Sequence, residues 1–332
     1  MKLVIIGARG HQGLVFQSLP DLPDMEVAGI SAGGDDDIAH LLEVLHDLGQ
    51  APVVFADYRQ MIEKVKPDYV CIAGPFELHA AMCIEALRHN AHVFCEKPVA
   101  ISLEDMDKIR TMHASKPHLR LISMVSMRYM GSFLSAFSAV KSGKIGKVRM
   151  IDARKSYRLG QRAEYYKHFE TYGGTIPWVG SHAIDWIYYF SGSRFKTIFA
   201  THTREGNFDH GDLEIAAHCQ FVMQNGVLAA CSIDFLRPGS ASTHGDNRLR
   251  VAGSSGVLEI IEDGVNDGVK LINADGTQSL PNLPEKKIFL DFVRGSSDNE
   301  VPSVDVRSTF DLTEACLLAQ KSADTGKIIT LP

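Results

Sequence analysis

Lys2-Leu3-Val4-Ile5-Ile6-Gly7-Ala8-Arg9-Gly10-His11-Gln12-Gly13 stands near the start of the chain, and Cys95-Glu96-Lys97-Pro98 answers it much later. The first stretch is a short apolar run followed by glycines at Gly7, Gly10 and Gly13. An apolar strand that feeds a glycine-spaced turn into a helix leaves backbone N–H groups free to hold a dinucleotide pyrophosphate, and it predicts a Rossmann unit. The second stretch closes a later apolar run, 92–95. Pro98 biases Lys97 towards extended backbone, so the lysine is expected at the carboxyl edge of the sheet, where such sheets bind ligands. Together the two stretches predict a nucleotide-dependent enzyme.

Working outward, short apolar runs alternate with amphipathic ones up to Met124. Strands are expected at 3–6, 27–31, 53–55, 69–72, 92–95 and 119–124. Helices are expected at 38–48, 58–65, 78–89 and 103–115. In the third helix Leu78, Ala81, Ile84 and Leu87 fall on one stripe. Strand and helix in alternation imply a parallel sheet with helices on both faces, an α/β Rossmann domain over 1–124.

Beyond Met124 the texture changes. A helical stretch at 131–142 leads into alternating runs at 148–157, 197–203, 215–222, 227–234, 249–251 and 257–261. Asn225-Gly226 between two of them is a hairpin signal. Helices at 182–190 and 307–323 interrupt or close the region, the latter stopped by Gly326. Residues 125–332 therefore read as an α+β domain with a large, mostly antiparallel open sheet.

The chain has 332 residues, comfortable for two domains. A net charge of −6 argues against nucleic acid or an anionic membrane as partner. The apolar run before Gly7 is too short for a signal-peptide core, and nowhere do about 18 apolar residues run together. Six cysteines without C-x-x-C pairing read as reduced, buried thiols of a cytoplasmic protein. The fourteen histidines show no ligand spacing, so no metal is expected.

The order of motifs resembles the glucose-fructose oxidoreductase/inositol dehydrogenase/MocA (Gfo/Idh/MocA) family. Four segments carry the likeness: Gly7 to Gly13, Gly74-Pro75 with His79, Glu96-Lys97-Pro98, and Gly173-Gly174 with Gly180-Ser181-His182-Ala183-Ile184-Asp185. The stretch from Asp305 to Lys327 resembles the family's returning C-terminal helix. The resemblance implies a nicotinamide-dependent oxidoreductase acting on a sugar, polyol or related hydroxy compound. It also implies a homodimer or homotetramer formed through the second sheet.

On this reading Gly7, Arg9, Gly10, His11, Gly13, Ser31, Gly74, Pro75, His79, Glu96 and Lys97 serve the cofactor, NAD or NADP. The spacing is G-x-x-G-x-x-G, with Arg9 where a second family glycine often stands. Its guanidinium either crowds the cofactor or swings out to pair with a 2′-phosphate, whose oxygens it matches bidentately. Where an NAD site usually places an acid, Ser31-Ala32-Gly33-Gly34 stands instead, and acids follow only at Asp35, Asp36 and Asp37. The balance tips to NADP. Phe76 replaces the Asn that the family usually shows after its proline.

The resemblance makes Lys97 the residue that holds the reacting hydroxyl. His182 is expected to exchange its proton, because an imidazole titrates near neutrality. Asp185, on the same helix face, is expected to orient the ring or meet the substrate. Arg128, Arg158, Tyr166, Trp178 and His182 are the candidates for substrate contact. Trp178 is the departure: family dehydrogenases often carry an Asp four residues before this His, and Trp cannot exchange a proton. Hydride transfer between nicotinamide and a carbinol carbon is the leading expectation. An NAD-retaining glycosidase-like enzyme of the same family, or a catalytically weak nicotinamide-binding sensor or scaffold, are the alternatives.

Overall fold

The computed structural model describes residues 1–295 and 304–331. Six short strands form the first sheet: β1 (Lys2–Ile6), β2 (Glu26–Ser31), β3 (Val53–Phe55), β4 (Tyr69–Ile72), β5 (His92–Cys95) and β6 (Leu121–Ser123). Their order is β3-β2-β1-β4-β5-β6, and every pairing is parallel. The expected strand at 119–124 is trimmed at both ends. Between the strands run α1 (Gly13–Phe16), α2 (Ala39–Asp47), α3 (Tyr58–Val65), α4 (His79–Arg88) and α5 (Leu103–Ala114).

Side-chain alternation explains the three layers. In β1, Leu3 and Ile5 join one buried cluster while Val4 and Ile6 join the other. A parallel sheet is covered on both faces, so its strands read as continuous apolar runs rather than alternating ones. Two helices are capped by their own side chains: Asp57 accepts from the N–H groups of Arg59 and Gln60, and Ser102 accepts from that of Asp105.

After α6 (Gly131–Lys141), β7 (Val148–Arg158) enters a second sheet. A short helix, α7 (Phe169–Tyr172), and α8 (Ser181–Ser191) then precede seven consecutive strands. These are β8 (Phe195–Thr203), β9 (Ala216–Met223), β10 (Leu228–Arg237), β11 (Gly245–Gly253), β12 (Gly256–Glu262), β13 (Gly268–Asn273) and β14 (Gly276–Leu280). The last elements are α9 (Ile288–Arg294), α10 (Val306–Thr325) and β15 (Ile329–Thr330). The sheet order is β14-β13-β12-β11-β7-β10-β9-β8-β15, antiparallel except for β7 against β10. Asn225-Gly226 does turn the β9–β10 hairpin, with Gly226 at φ 84°. The sequence reading omitted β13, β14, α9 and β15, all short or mostly polar.

Two late helices tie the sheets together. In α9, Phe289 and Phe292 pack their rings on Phe94 of β5, at 5.1 and 5.5 Å between centroids. From α10, Phe310 and Leu317 join the core cluster around α4 and α5, and Thr309 Oγ1 accepts from the N–H of Ser123 at 3.1 Å. No helix among the described residues is long and apolar enough to cross a membrane.

Candidate active site

The glycine turn after β1 is tight because neighbouring backbone presses on it. Gly7 (φ 84°) and Gly10 (φ 134°) occupy conformations that favour glycine. A Cβ on Gly7 would lie 2.2 Å from the Cα of Gly74, at the exit of β4. One on Gly10 would lie 2.6 Å from Glu96 Oε2, whereas Gly13 faces open space. The turn and the 96–97 segment therefore share one edge of the parallel sheet.

Glu96 is 1% exposed and belongs to the turn. Its Oε2 accepts from the backbone N–H of His11 at 3.0 Å and lies 2.8 Å from His11 Nδ1. Burial alone would raise the pKa of this carboxyl, but His11 and Lys97 outweigh it and hold the pKa below its ordinary value. Lys97 Nζ sits 3.8 Å from Glu96 Oε1 and donates to the carbonyl of Trp178 at 2.9 Å. Burial lowers the ammonium's pKa, with Glu96 opposing.

Trp178 lies in a single π-helical turn, 176–180, that runs straight into α8. That corner is fixed from behind by Glu214, a carboxylate 1% exposed. Glu214 accepts from the Thr175 N–H at 3.0 Å, from Gln320 Nε2 at 3.0 Å and from the Tyr172 hydroxyl. The result is that the backbone carbonyl of residue 178 takes the hydrogen bond from Lys97, with the indole 5.4 Å from the same ammonium. The indole packs 4.2 Å from the Tyr166 ring and 5.9 Å from that of Phe235.

His182, 4% exposed, follows at the first turn of α8. Its ring stands 6.3 Å from that of His11, and its Nδ1 is buried without a partner among the described residues. Burial, then Lys155, Lys97 and His11, push its pKa well below that of an ordinary imidazole. It is neutral at pH 7.

Several expectations are corrected here. Asp185 does not reach His182: it is 1% exposed and takes a two-pronged bond from Arg128, Nε at 3.0 Å and Nη2. Arg128, 2% exposed, is accordingly a partner of Asp185 and lies over the Tyr189 ring at 4.9 Å, not a cation turned to the cleft. His79 is fully buried, with Nδ1 2.8 Å from the Pro98 carbonyl and Nε2 3.1 Å from that of Gly74. It staples two loops instead of presenting a nitrogen to a ligand. Pro75 lies at the same loop edge, close to Gly34.

The premises for a 2′-phosphate also differ. Arg9 is paired: Nη2 with Asp35 at 2.7 Å and Nε with Asp36. Its guanidinium stacks on Tyr165 at 4.3 Å. Asp36, whose side chain is 4% exposed, also takes the N–H of Ala8 at 2.9 Å. Ser31 is fully buried, its hydroxyl accepting from the Gly33 N–H at 3.4 Å. A carboxylate therefore stands beside the glycine turn after all, five residues later than the strand-end position that sequence reading inspected.

Two residues escaped the sequence reading altogether. Lys155 of β7 is 1% exposed, its Nζ 3.0 Å from Met127 Sδ and 5.3 Å from the Trp186 ring. Burial, with Lys97 adding to it, pushes its pKa well below the ordinary value. The available signal was a lysine on the same strand face as Ile151, Ala153 and Tyr157. Arg162 is the other, 5.3 Å over the Trp178 ring and 5.1 Å over that of Phe235. Arg158, at the end of β7, has a buried Nε without a partner.

Comparison with known proteins agrees with this architecture. Residues 1–122 match the oxidoreductase family with an NAD-binding Rossmann fold, and residues 133–259 match the GFO/IDH/MocA C-terminal domain. A solved Thermotoga maritima chain, described as a candidate oxidoreductase, is 38% identical with a TM-score of 0.93, covering 100% of both chains. The uncharacterized oxidoreductase YrbE of Bacillus subtilis is 27% identical over 257 residues, 76% of this chain and 71% of that one. The myo-inositol 2-dehydrogenase of Thermotoga maritima is 25% identical over 60% of this chain and 58% of its own length. With both halves matched in their expected order, the chain belongs to the Gfo/Idh/MocA family of oxidoreductases, with an NAD-binding Rossmann fold.

Proposed function

We propose that this protein is an NAD-dependent dehydrogenase that moves a hydride between the nicotinamide and a carbinol carbon of a sugar, polyol or related hydroxy compound. The observation that carries the reading is that Lys97 and His182 gather beside the glycine turn: Lys97 bonds the Trp178 carbonyl just ahead of α8, and the His182 ring stands 6.3 Å from that of His11. Gly7 and Gly10 let the turn pack tightly on Gly74 and Glu96, Gly13 faces open space on the side offered to a pyrophosphate, and Glu96 braces the turn through His11. NAD, when bound, supplies the hydride acceptor or donor.

Lys97 keeps one N–H on the Trp178 carbonyl and has two left to hold the reacting oxygen. Its charge favours the alkoxide that develops as the carbon–hydrogen bond breaks. Neutral His182 has a lone pair to take the hydroxyl proton, the role an acid four residues earlier would otherwise share. NAD rather than NADP fits the Asp36 carboxylate, which would repel a 2′-phosphate and can accept from ribose hydroxyls. Asp185 and Arg128 support α8 from behind, outside the proton path.

The reading extends to two coarser features. Six free, buried cysteines suit a reducing compartment such as the cytoplasm. Met150 and Leu228, register partners on adjoining strands, are 41% and 54% exposed on the open face of the second sheet, which suits self-association there. The test is direct. NADH and NADPH are titrated by nucleotide fluorescence, and NAD reduction is followed with a polyol and sugar panel. No binding of either nucleotide, or no loss of turnover in Lys97→Ala, would sink the reading.

A further inference from the structure

The second-domain side of the site gathers cations that form no ion pair among the described residues. Lys155 lies 4.9 Å from the Tyr157 ring, which stacks on His244 at 4.9 Å. Arg162 lies over Trp178 and Phe235, and Lys97 lies 5.4 Å from the same indole from the other side. Among the described residues no carboxylate comes within 4.0 Å of Lys155, Arg158 or Arg162. The Nε atoms of Arg158 and Arg162 are buried and unpartnered, as is Nδ1 of His182.

Most acids nearby are committed elsewhere: Glu96 is held by His11, Asp185 by Arg128, and Asp246 by Arg154 and Arg248. Glu262 acts on Lys155 only from beyond ion-pair distance, and burial holds its own carboxyl above the ordinary value. Burial with Arg162, Arg158, Lys155 and Arg237 holds the His244 imidazole below its ordinary value, so it is disfavoured from adding further positive charge. A buried cation without a paired acid is costly: Lys155 is buried and its pKa is pushed down, while Arg158 and Arg162 are half-buried, and an anion bound between them would supply the missing counter-charge. A neutral polyol cannot do so. Trp178 adds to the argument: it stands where an acid would repel an anion, and its face can pack on a sugar ring.

Resting on the dehydrogenase reading above, we propose that the substrate is an anionic carbohydrate. Its carboxylate or phosphate ester is held by Arg162, Arg158 and Lys155, while its carbinol faces Lys97 and His182. Guanidinium groups pair bidentately with either anion, so the shared chemistry is a charged oxyanion on the sugar.

The test uses the full chain with NAD and sugar sets that differ in charge: D-glucose, D-glucuronate and D-glucose 6-phosphate, then D-galactose and D-galacturonate. NADH fluorescence titration comes first, without sugar. Failure to bind there would overturn the dehydrogenase reading, and this inference with it. With binding established, an acidic member should exceed its neutral counterpart at least about tenfold in kcat/KM, the size of a charge-assisted bond. Arg162→Gln should lower that ratio about tenfold, and Arg162→Lys should restore part of it. Should no sugar be turned over, calorimetry on the NADH-loaded protein decides between the same pairs on the same tenfold criterion. Neutral sugars preferred or equal, or a ratio unchanged in Arg162→Gln, would overturn the anionic substrate while leaving the dehydrogenase standing. The glucuronate and 6-phosphate arms separate carboxylate from phosphate.

Discussion

On the wall of the cleft built by the parallel sheet, the charges are answered side chain by side chain. Glu96 holds His11, Asp36 and Asp35 hold Arg9, and Lys97 has Glu96 within 3.8 Å. On the opposite wall, Lys155 and Arg162 face aromatic rings and a thioether, and the Nε of Arg158 is buried without a partner among the described residues. Behind that wall a third arrangement appears, the fully buried and closed pair Arg128–Asp185. A closed pair holds the structure, since removing one member strands the other. An open cluster costs stability in the free protein and stores it for whatever anion completes it.

Removing charge should therefore have opposite signs in the two settings. The largest effect is expected for Asp185→Ala, which removes the buried carboxylate that Arg128 meets with Nε and Nη2: a loss of about 3–5 kcal/mol, read by urea unfolding. A loss under about 1 kcal/mol would mean that the closed pair is not structural. Next comes Lys97→Ala, which should cut turnover by at least about a hundredfold while NADH affinity stays nearly unchanged. Turnover close to wild type would remove Lys97 from the chemistry.

Lys155→Met should go the other way and stabilise the free protein by about 1–2 kcal/mol at pH 7. The sign follows from proton linkage. Burial lowers the folded-state pKa of Lys155, so between that value and about 10.4 the unfolded chain binds more protons. Stability then rises with pH across this window and falls as pH drops through it, and the methionine variant should lack that slope. A destabilised, equally pH-dependent variant would break the contrast between the walls.

A smaller linkage is expected at His182. Its depressed pKa makes it neutral in the fold while the unfolded imidazole gains a proton below about pH 6.5. Wild type should lose up to about 1.4 kcal/mol per pH unit from this group on acidification, and His182→Asn should lose correspondingly less between pH 6.5 and 5. Parallel stability curves would show that the ring is more hydrated than the fold implies. The smallest effect belongs to Asp36→Asn, which should narrow a preference for NADH over NADPH by about tenfold, or ~1.4 kcal/mol. An unaltered ratio of the two dissociation constants would detach Asp36 from cofactor choice.

Much of the fold is legible in sequence because its elements are local. The runs at 3–6 and 69–72, the stripe of α4 and the Asn225-Gly226 turn are decided by neighbours a few residues away. The omitted elements were those whose patterns are weak. Gly276–Leu280 is mostly exposed and polar, and α9 is short, its apolar residues making sense only against Phe94. Site residues divide in the same way. Lys97 sits at a sheet edge by virtue of the strand before it and Pro98 after it, whereas Lys155 was one lysine among many until β7 turned it inward.

Sequence by itself determined that this chain alternates strand and helix, turns on glycines after β1, and carries a lysine and a histidine at the two places where such a cleft closes. Periodicity settles which face of its own element a residue occupies, and that information is local. Only the tertiary structure decided who neutralises whom: Arg9 with Asp36 instead of a phosphate, Arg128 with Asp185 instead of His182 with Asp185, and Lys155 with no ion pair among the described residues. Charge pairing depends on distances between elements remote in the chain, and its strength on how much water the fold leaves between them, so no local pattern encodes it.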